Sequence, residues 1–119
     1  MKKDSVFLGH IRGEVAFLRD LTQKKDMKEI RSDPVLSRAV ARSLEVIGEA
    51  AKQISPGFRA QHPRCPWEKM SGMRDVLVHR YFGIDWEIVR DVLEKELPVL
   101  EETLKAIATA EETRAPKNE

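Results

Sequence analysis

Apolar residues recur every three or four positions along most of the chain, which is the spacing of one face of an α-helix. The first such stretch runs from Ser5, a candidate N-cap, to about Thr22, and its apolar face consists of Phe7, Leu8, Ile11, Val15, Leu18 and Leu21. A second begins at Ser32-Asp33-Pro34, where an oxygen-bearing cap precedes a proline at the first helical position. Residues 23–31 between them form a charged connector that we expect to be mobile and partly helical.

Glycine and proline divide the rest of the chain. Ser55-Pro56-Gly57 ends the second helix, and the loop that follows has room for at most one short helical turn before a third helix opens at Trp67. Gly72 lies within this third helix and predicts either a kink or the close approach of another backbone. The helix is expected to stop at Gly83.

A fourth helix follows Asp85, a candidate N-cap, and Pro98 is expected to bend or restart it because proline lacks the backbone N–H. The pattern predicts an all-α, up-and-down bundle of four or five helices. We expect one domain over residues 1–119, with fraying at residues 1–4 and 110–119.

Composition agrees with a helical bundle and restricts the classes of partner. Charged residues make up 34% of the 119 residues and aromatic residues 6%. The net charge of +1 means that binding to nucleic acid would need a local basic patch. Cys65 is the single cysteine, so no internal disulfide can form. The sequence has no signal peptide and no apolar run of about 20 residues, so we expect a cytoplasmic protein outside the membrane.

An unusual concentration of polar chemistry lies in residues 72–83, where Arg74, His79 and Tyr81 stand among apolar residues. On an ideal helix Arg74 and Tyr81 share a face, whereas His79 is displaced by roughly 140° from Arg74. The three side chains therefore converge only if Arg74 reaches around the helix, if the last turn loosens, or if a second protomer completes the site.

These residue types suit the cleavage of RNA without a metal. His79 could act as a base near neutral pH, and Arg74 could bind the oxygens of a phosphorane-like transition state through two parallel N–H groups. Tyr81 could donate to phosphate or stack on a base, and Arg80 adds positive potential. The alternative is structural, because a histidine near a helix end often acts as a cap or a packing residue.

Two other groups of residues permit a binding role. Arg38 and Arg42 belong either to a solvated ladder of charges that includes Glu45 or to the border of a phosphate-binding cleft. His62 and Cys65 lie three positions apart, but the ligands for a zinc site are too few, and Cys65 is expected to be a packing residue. We predict neither a metal site nor a cofactor.

The chain resembles the HEPN superfamily, and most closely its HepT-like toxins. The segment 74–79 fits the superfamily motif of arginine, a polar residue, three further positions and histidine, and His79-Arg80-Tyr81 fits the HepT-like extension. Further similarity lies in residues 47–52, at Trp67 and Met73, and in residues 81–85 and 97–100. Asp75 stands where asparagine is common in the family, which leaves its supporting role open.

The resemblance implies a homodimer whose two motif helices face each other across a cleft. It also implies a metal-independent endoribonuclease toxin of a type II/VII-like toxin–antitoxin pair, with Arg74 and His79 as the catalytic residues. The implied partner is a nucleotidyltransferase-fold, MntA-like antitoxin, which inhibits the toxin by occlusion or by AMP transfer to Tyr81. Two alternatives are a non-catalytic helical dimer that docks a nucleotidyltransferase and an unrelated structural bundle.

Overall fold

A computed structural model describes residues 2–73 and 85–114 of the chain. No β-strand occurs in these ranges, which confirms the prediction of an all-α fold. The helices are α1 (Lys2–Lys24), α2 (Met27–Ser32), α3 (Pro34–Gln53), α4 (Pro56–Gln61), α5 (Trp67–Ser71), α6 (Trp86–Asp91) and α7 (Leu97–Arg114). A π-helical turn, Val92–Glu96, joins α6 to α7.

The three long helices supply most of the core. Helix α1 packs against both α3 and α7, while α5 packs against α3. One ion pair crosses the α1–α7 contact, with 3.1 Å between Arg19 Nε and Glu101 Oε1. The apolar positions predicted for α1 face this core, whereas Val35, which the helical spacing places on the inner face of α3, is exposed. The almost completely buried residues of the three long helices include Ile11, Leu18, Val40, Leu44, Ile47, Leu97 and Leu104.

Helix α1 extends beyond both of its predicted ends. It begins at Lys2, so Ser5 lies inside the helix and does not cap it. The side chain of Asp4 is buried, and its carboxylate accepts hydrogen bonds from Ser55. These contacts hold the first turn, where the sequence had suggested fraying. At the other terminus α7 continues to Arg114, past residue 110.

The charged connector contains α2, which confirms that it is partly helical. A helix of six residues is unstable alone in water, so its stability must come from caps and from burial. Asp26 and Glu29 form a reciprocal capping box at the first turn. Ile30 is completely buried, and such burial of an isoleucine contributes about 2 kcal/mol. The connector is therefore anchored to the core.

The predicted start of α3 is confirmed. The carboxylate of Asp33 accepts hydrogen bonds from the backbone N–H groups of Val35 and Leu36, at 2.8 and 3.1 Å, and Pro34 occupies the first turn. The end of α3 is also confirmed, because Ser55 caps the next helix through a 3.2 Å bond from Phe58 N. That next helix, α4, has six residues, which exceeds the single turn that the sequence suggested.

Pro98 restarts the last helix, as predicted. The π-helical turn immediately before it is wider than an α-turn, and Leu97 N donates to Val92 O across five positions. This geometry accommodates a residue that has no N–H to offer the preceding turn. The result is a nearly continuous helical rod from residue 86 to residue 114.

Candidate functional site

The predicted catalytic segment lies between two positions that the structure describes, Met73 and Asp85. Arg74, Asp75, His79, Arg80 and Tyr81 all fall in residues 74–84, outside the described residues. Their convergence thus stays a prediction, and the site is described from the elements on either side.

Helix α5 fixes the position from which the segment departs. Met70 is completely buried, and Trp67 is buried with its indole Nε1 donating to His62 O at 3.0 Å. Met73 is also buried, so the residue directly before Arg74 belongs to the core. The described chain is therefore packed into the core up to the residue that precedes the motif.

Gly72 ends α5 in an ordinary right-handed conformation, with φ −77° and ψ −9°. A Cβ placed there would meet the carbonyl oxygens of Glu68 and Lys69 at 3.5 and 3.6 Å, which are normal contact distances. Among the described residues no other helix backbone approaches Gly72 closely. The regular helix is interrupted here, because α5 ends at Ser71, so the described residues favour the predicted kink.

Asp85 fixes the position at which the chain returns. Its carboxylate accepts hydrogen bonds from Glu87 N at 3.1 Å and Ile88 N at 3.3 Å, which confirms the predicted cap. Trp86, the next residue, is half-buried and packs against the core. Both ends of the predicted catalytic segment are thus held by α5 and α6.

A small hollow of about 160 Å³ lies among α3, α5, α6 and the π-helical turn. Its lining is mostly apolar, and it consists of Leu44, Lys69, Met73, Ile88, Val89, Val92 and Glu96. Lys69 and Glu96 form an ion pair with each other. A phosphate would find no uncompensated cation in this lining, so the hollow suits an apolar side chain better than a nucleotide.

The two arginines proposed for a phosphate cleft interact within their own helix. Arg42 Nη1 lies 3.5 Å from Glu45 Oε2, so this pair belongs to the predicted ladder of solvated charges. Arg38 Nη1 donates to Pro34 O at 3.2 Å. Both side chains are exposed, and no described contact aims them at a shared site.

A basic groove that sequence reasoning missed lies between α2 and α6. It is lined by Met27, Lys28, Arg31, Ser32, Trp86, Glu87 and Arg90. The two helices are more than 50 positions apart in the chain, so only the fold brings their cations together. The sequence carries no local signal of this groove, because Trp86 stands between Asp85 and Glu87 and the basic residues of α2 are far from it in the chain.

His62 and Cys65 do not form a metal site. His62 Nε2 lies 2.8 Å from Glu111 Oε2, and the His62 ring packs on Phe58 with 4.8 Å between centroids. Burial raises the pKa of the Cys65 thiol to about 12, so the thiolate that would bind zinc is disfavoured. Within residues 2–73 and 85–114 no three His, Cys, Asp or Glu side chains are grouped as metal ligands. Cys65 is a packing residue, as predicted.

His10 is exposed on α1, with its ring 6.3 Å from that of Phe7, so it is a surface histidine. Among the described helices, none is both long enough and apolar enough to cross a membrane.

Comparison with known proteins places the chain in a family. The family model described as "Ribonuclease HepT-like" matches residues 11–107, a range that includes the whole segment 74–84. No solved structure gives a significant match.

Curated relatives resemble the chain over most of their length. A protein of Caldanaerobacter subterraneus subsp. tengcongensis named "Putative RNase" is 41% identical over 111 residues, which cover 93% of this chain and 99% of the relative. A "Putative RNase" of Methanocaldococcus jannaschii is 38% identical over 116 residues, covering 93% of this chain and 96% of the relative. The "Probable ribonuclease HepT" of Thermococcus cleftensis is 34% identical over 94 residues, covering 79% and 86%. With the all-α fold and the matched range, these similarities show that the chain belongs to the HepT-like ribonuclease family.

Proposed function

We propose that the chain is a metal-independent endoribonuclease that cleaves RNA through Arg74 and His79. The observation that carries this proposal is the position of the Arg74–His79–Tyr81 motif inside the range matched by the ribonuclease family. Support also comes from α5 and α6, which hold the residues on both sides of the motif. A catalytic arginine and histidine need such rigid supports, because small displacements cost much of the rate.

The proposed reaction is an internal transfer at phosphorus. His79 takes the proton of the ribose 2′-hydroxyl, the 2′-oxygen bonds to phosphorus, and the bond from phosphorus to the 5′-oxygen breaks. Arg74 donates to the non-bridging oxygens, on which negative charge accumulates. The 5′-oxygen leaves and takes up a proton. The products are a 2′,3′-cyclic phosphate and a 5′-hydroxyl, and charge is balanced without a metal ion.

We propose that the active form is a homodimer. The displacement of roughly 140° between Arg74 and His79 on an ideal helix is difficult to reconcile with a site built from one helix alone. Two copies facing each other would supply the second residue across a shared cleft. Light scattering at micromolar concentration should give a dimer mass, and a monomer that is fully active would contradict a shared site.

We further propose that the partner is a nucleotidyltransferase-fold antitoxin that modifies Tyr81. In that reaction the phenolic oxygen attacks the α-phosphorus of ATP, a new oxygen–phosphorus bond forms, and pyrophosphate leaves. The attached AMP would occupy the phosphate site and repel RNA. Intact mass after incubation with the cognate antitoxin and ATP should show one AMP per chain, and Tyr81→Phe should remain unmodified. An adduct that persists on the Tyr81→Phe variant would exclude this residue.

The alternative function is a non-catalytic dimer that docks the nucleotidyltransferase. Incubation of RNA with the purified protein in EDTA distinguishes the ribonuclease from this non-catalytic dimer. We expect cleavage by the natural chain, and a loss of at least a hundredfold in His79→Ala and Arg74→Ala. His10→Ala and Arg64→Ala are matched controls, since both residues are exposed in the structure. Equal cleavage by the His79→Ala variant would rule out the enzymatic role of His79.

A further inference from the structure

The groove between α2 and α6 combines positive charge with an aromatic surface. Three cations line it, Lys28, Arg31 and Arg90, against a single carboxylate, Glu87. The half-buried Trp86 belongs to the same lining. Since the whole chain carries a net charge of only +1, this is a local concentration of positive charge. A groove with these two properties is typical of surfaces that bind single-stranded nucleic acid.

The cations of α2 are available to a ligand. Lys28 and Arg31 are both exposed, and neither forms an ion pair with any residue of the described ranges. The acidic residues of this helix are engaged elsewhere, because Glu29 completes the capping box with Asp26 and lies 3.7 Å from Lys25. Arg90 is partly compensated by Glu94, at 3.4 Å along the same rod.

Stability of the fold does not account for these cations. Helix α2 is fixed by the Asp26 cap and by the completely buried Ile30. Lys28 and Arg31 point away from that anchor into the groove. Placing them near Arg90 brings like charges together, which is mildly unfavourable unless an anion is bound between them.

A second cleft of the molecule offers a contrast. A cleft between α1 and α7 has a similar size, but its cations Arg12 and Lys105 are matched by Glu101 and Glu102 in the same lining. That cleft has no aromatic side chain. It therefore has neither of the two features that recommend the α2–α6 groove, and its cations serve as a control for charge.

The groove is also connected along the chain to the proposed catalytic segment. Trp86 lies directly after Asp85, the cap residue at which the chain returns from residues 74–84.

We propose that the α2–α6 groove binds a single-stranded segment of the RNA substrate, with Trp86 stacking on a base and Lys28 and Arg31 binding phosphates. This inference rests on the proposed ribonuclease function, which it extends by naming a substrate-binding surface outside the motif. The RNA that binds in this groove would have an unpaired segment, because a base must leave its stack to reach the indole of Trp86.

The first test measures binding without cleavage. A fluorescent single-stranded RNA with 2′-O-methyl groups lacks the nucleophile, so its affinity can be followed by anisotropy even with the active protein. We expect the Lys28→Gln/Arg31→Gln double variant to bind about tenfold more weakly, with the slope of log affinity against log salt reduced by about 1.4. Glutamine retains helix propensity, so α2 should persist.

The matched control is Arg12→Gln/Lys105→Gln, which removes the same charge from the α1–α7 cleft. We expect this variant to bind RNA within about twofold of the natural chain, because only the local cations contact phosphate. An equal loss in both double variants would overturn the groove and indicate that affinity follows net charge alone. No loss in either variant would overturn it as well.

Trp86 provides an independent test of stacking. We expect Trp86→Leu to lose about tenfold in affinity, and Trp86→Phe to retain most of it because phenylalanine can still stack. RNA should quench the tryptophan fluorescence of the natural chain, and the quenching should vanish in Trp86→Phe, since the remaining Trp67 is buried. Thermal melting checks that both variants fold, and quenching that persists without Trp86 would contradict the assignment.

These outcomes distinguish a failure of the groove proposal from a failure of the proposed ribonuclease activity. Groove-dependent binding of the methylated RNA by a protein that does not cut ordinary RNA would support the groove and refute the proposed catalysis. Normal cleavage with unchanged KM in the Lys28→Gln/Arg31→Gln variant would refute the groove alone. If that variant lost only its affinity for a partner protein, the groove would be a protein-docking surface and the RNA assignment would be wrong.

Discussion

Asp4 and Ser55 are joined by two hydrogen bonds although 51 positions separate them in the chain. The Asp4 carboxylate accepts from Ser55 N at 2.8 Å and from Ser55 Oγ at 2.7 Å. The same hydroxyl accepts from Phe58 N and so caps α4. One buried carboxylate therefore ties the first turn of α1 to the junction of α3 and α4.

Removal of this carboxylate should destabilise the whole domain. Asp4→Ala leaves two half-buried donors of Ser55 without their acceptor, which we expect to cost about 2 kcal/mol in the free energy of unfolding. Urea denaturation followed by circular dichroism measures this loss. Asp20→Ala is the matched control, because Asp20 is an exposed residue of α1 that pairs with Lys24, and it should cost less than about 0.5 kcal/mol. Equal effects of the two substitutions would contradict the structural role of Asp4.

His62 connects the segment between α4 and α5 to α7. Its ring bonds to Glu111 and packs on Phe58, and its carbonyl oxygen accepts from Trp67. We expect His62→Ala to lower stability by roughly 1–2 kcal/mol, through loss of the ring contact and of a partly exposed ion pair. RNA cleavage should be retained under conditions where the variant is folded. Loss of cleavage in a fully folded His62→Ala protein would show that this histidine has a catalytic role.

Cys65 should resist thiol reagents in the folded protein. Its side chain is buried, and its Sγ donates to Met70 Sδ at 3.6 Å. Because the pKa of the thiol is raised to about 12 by burial, almost none is present as thiolate at pH 8. We expect iodoacetamide to modify the chain at least a hundredfold faster in urea than in buffer. Rapid modification of the native protein would contradict the burial of Cys65.

The same thiol should affect stability at alkaline pH. Its pKa rises from 9.0 in the unfolded chain to about 12 in the folded protein, so the folded state binds the proton more tightly. The resulting stabilisation is complete below pH 9 and is lost as the pH rises toward 12. The difference in free energy of unfolding between the natural chain and Cys65→Ala should therefore shrink between about pH 8 and pH 11. A difference that stays constant would contradict the raised pKa.

Local features of the fold could be predicted from the sequence because their causes are local. Asp33 and Asp85 act as caps within three residues of their partners, and Pro98 acts on its own turn. The true start of α1 was missed because it depends on Asp4 reaching Ser55, which no local pattern encodes.

The same distinction between local and non-local causes applies to the candidate site. The motif from Arg74 to Tyr81 is a short pattern that can be read directly, and it carries the proposed chemistry. The basic groove was not predicted, because Arg31 and Trp86 come together only when α2 and α6 lie side by side. The net charge of +1 did not indicate this groove, because acidic residues elsewhere in the chain offset its cations.

If Arg74 and His79 cleave RNA by activating its own 2′-hydroxyl without a metal, the ends of the products record that chemistry. The most direct measurement is the chemistry of the product ends after cleavage in EDTA, read by mass spectrometry of a short synthetic RNA. We expect 2′,3′-cyclic phosphate and 5′-hydroxyl ends, and their absence with the His79→Ala variant and with RNA methylated at the 2′-oxygen. Products with 3′-hydroxyl and 5′-phosphate ends that form only when a divalent metal is added would contradict this metal-independent mechanism.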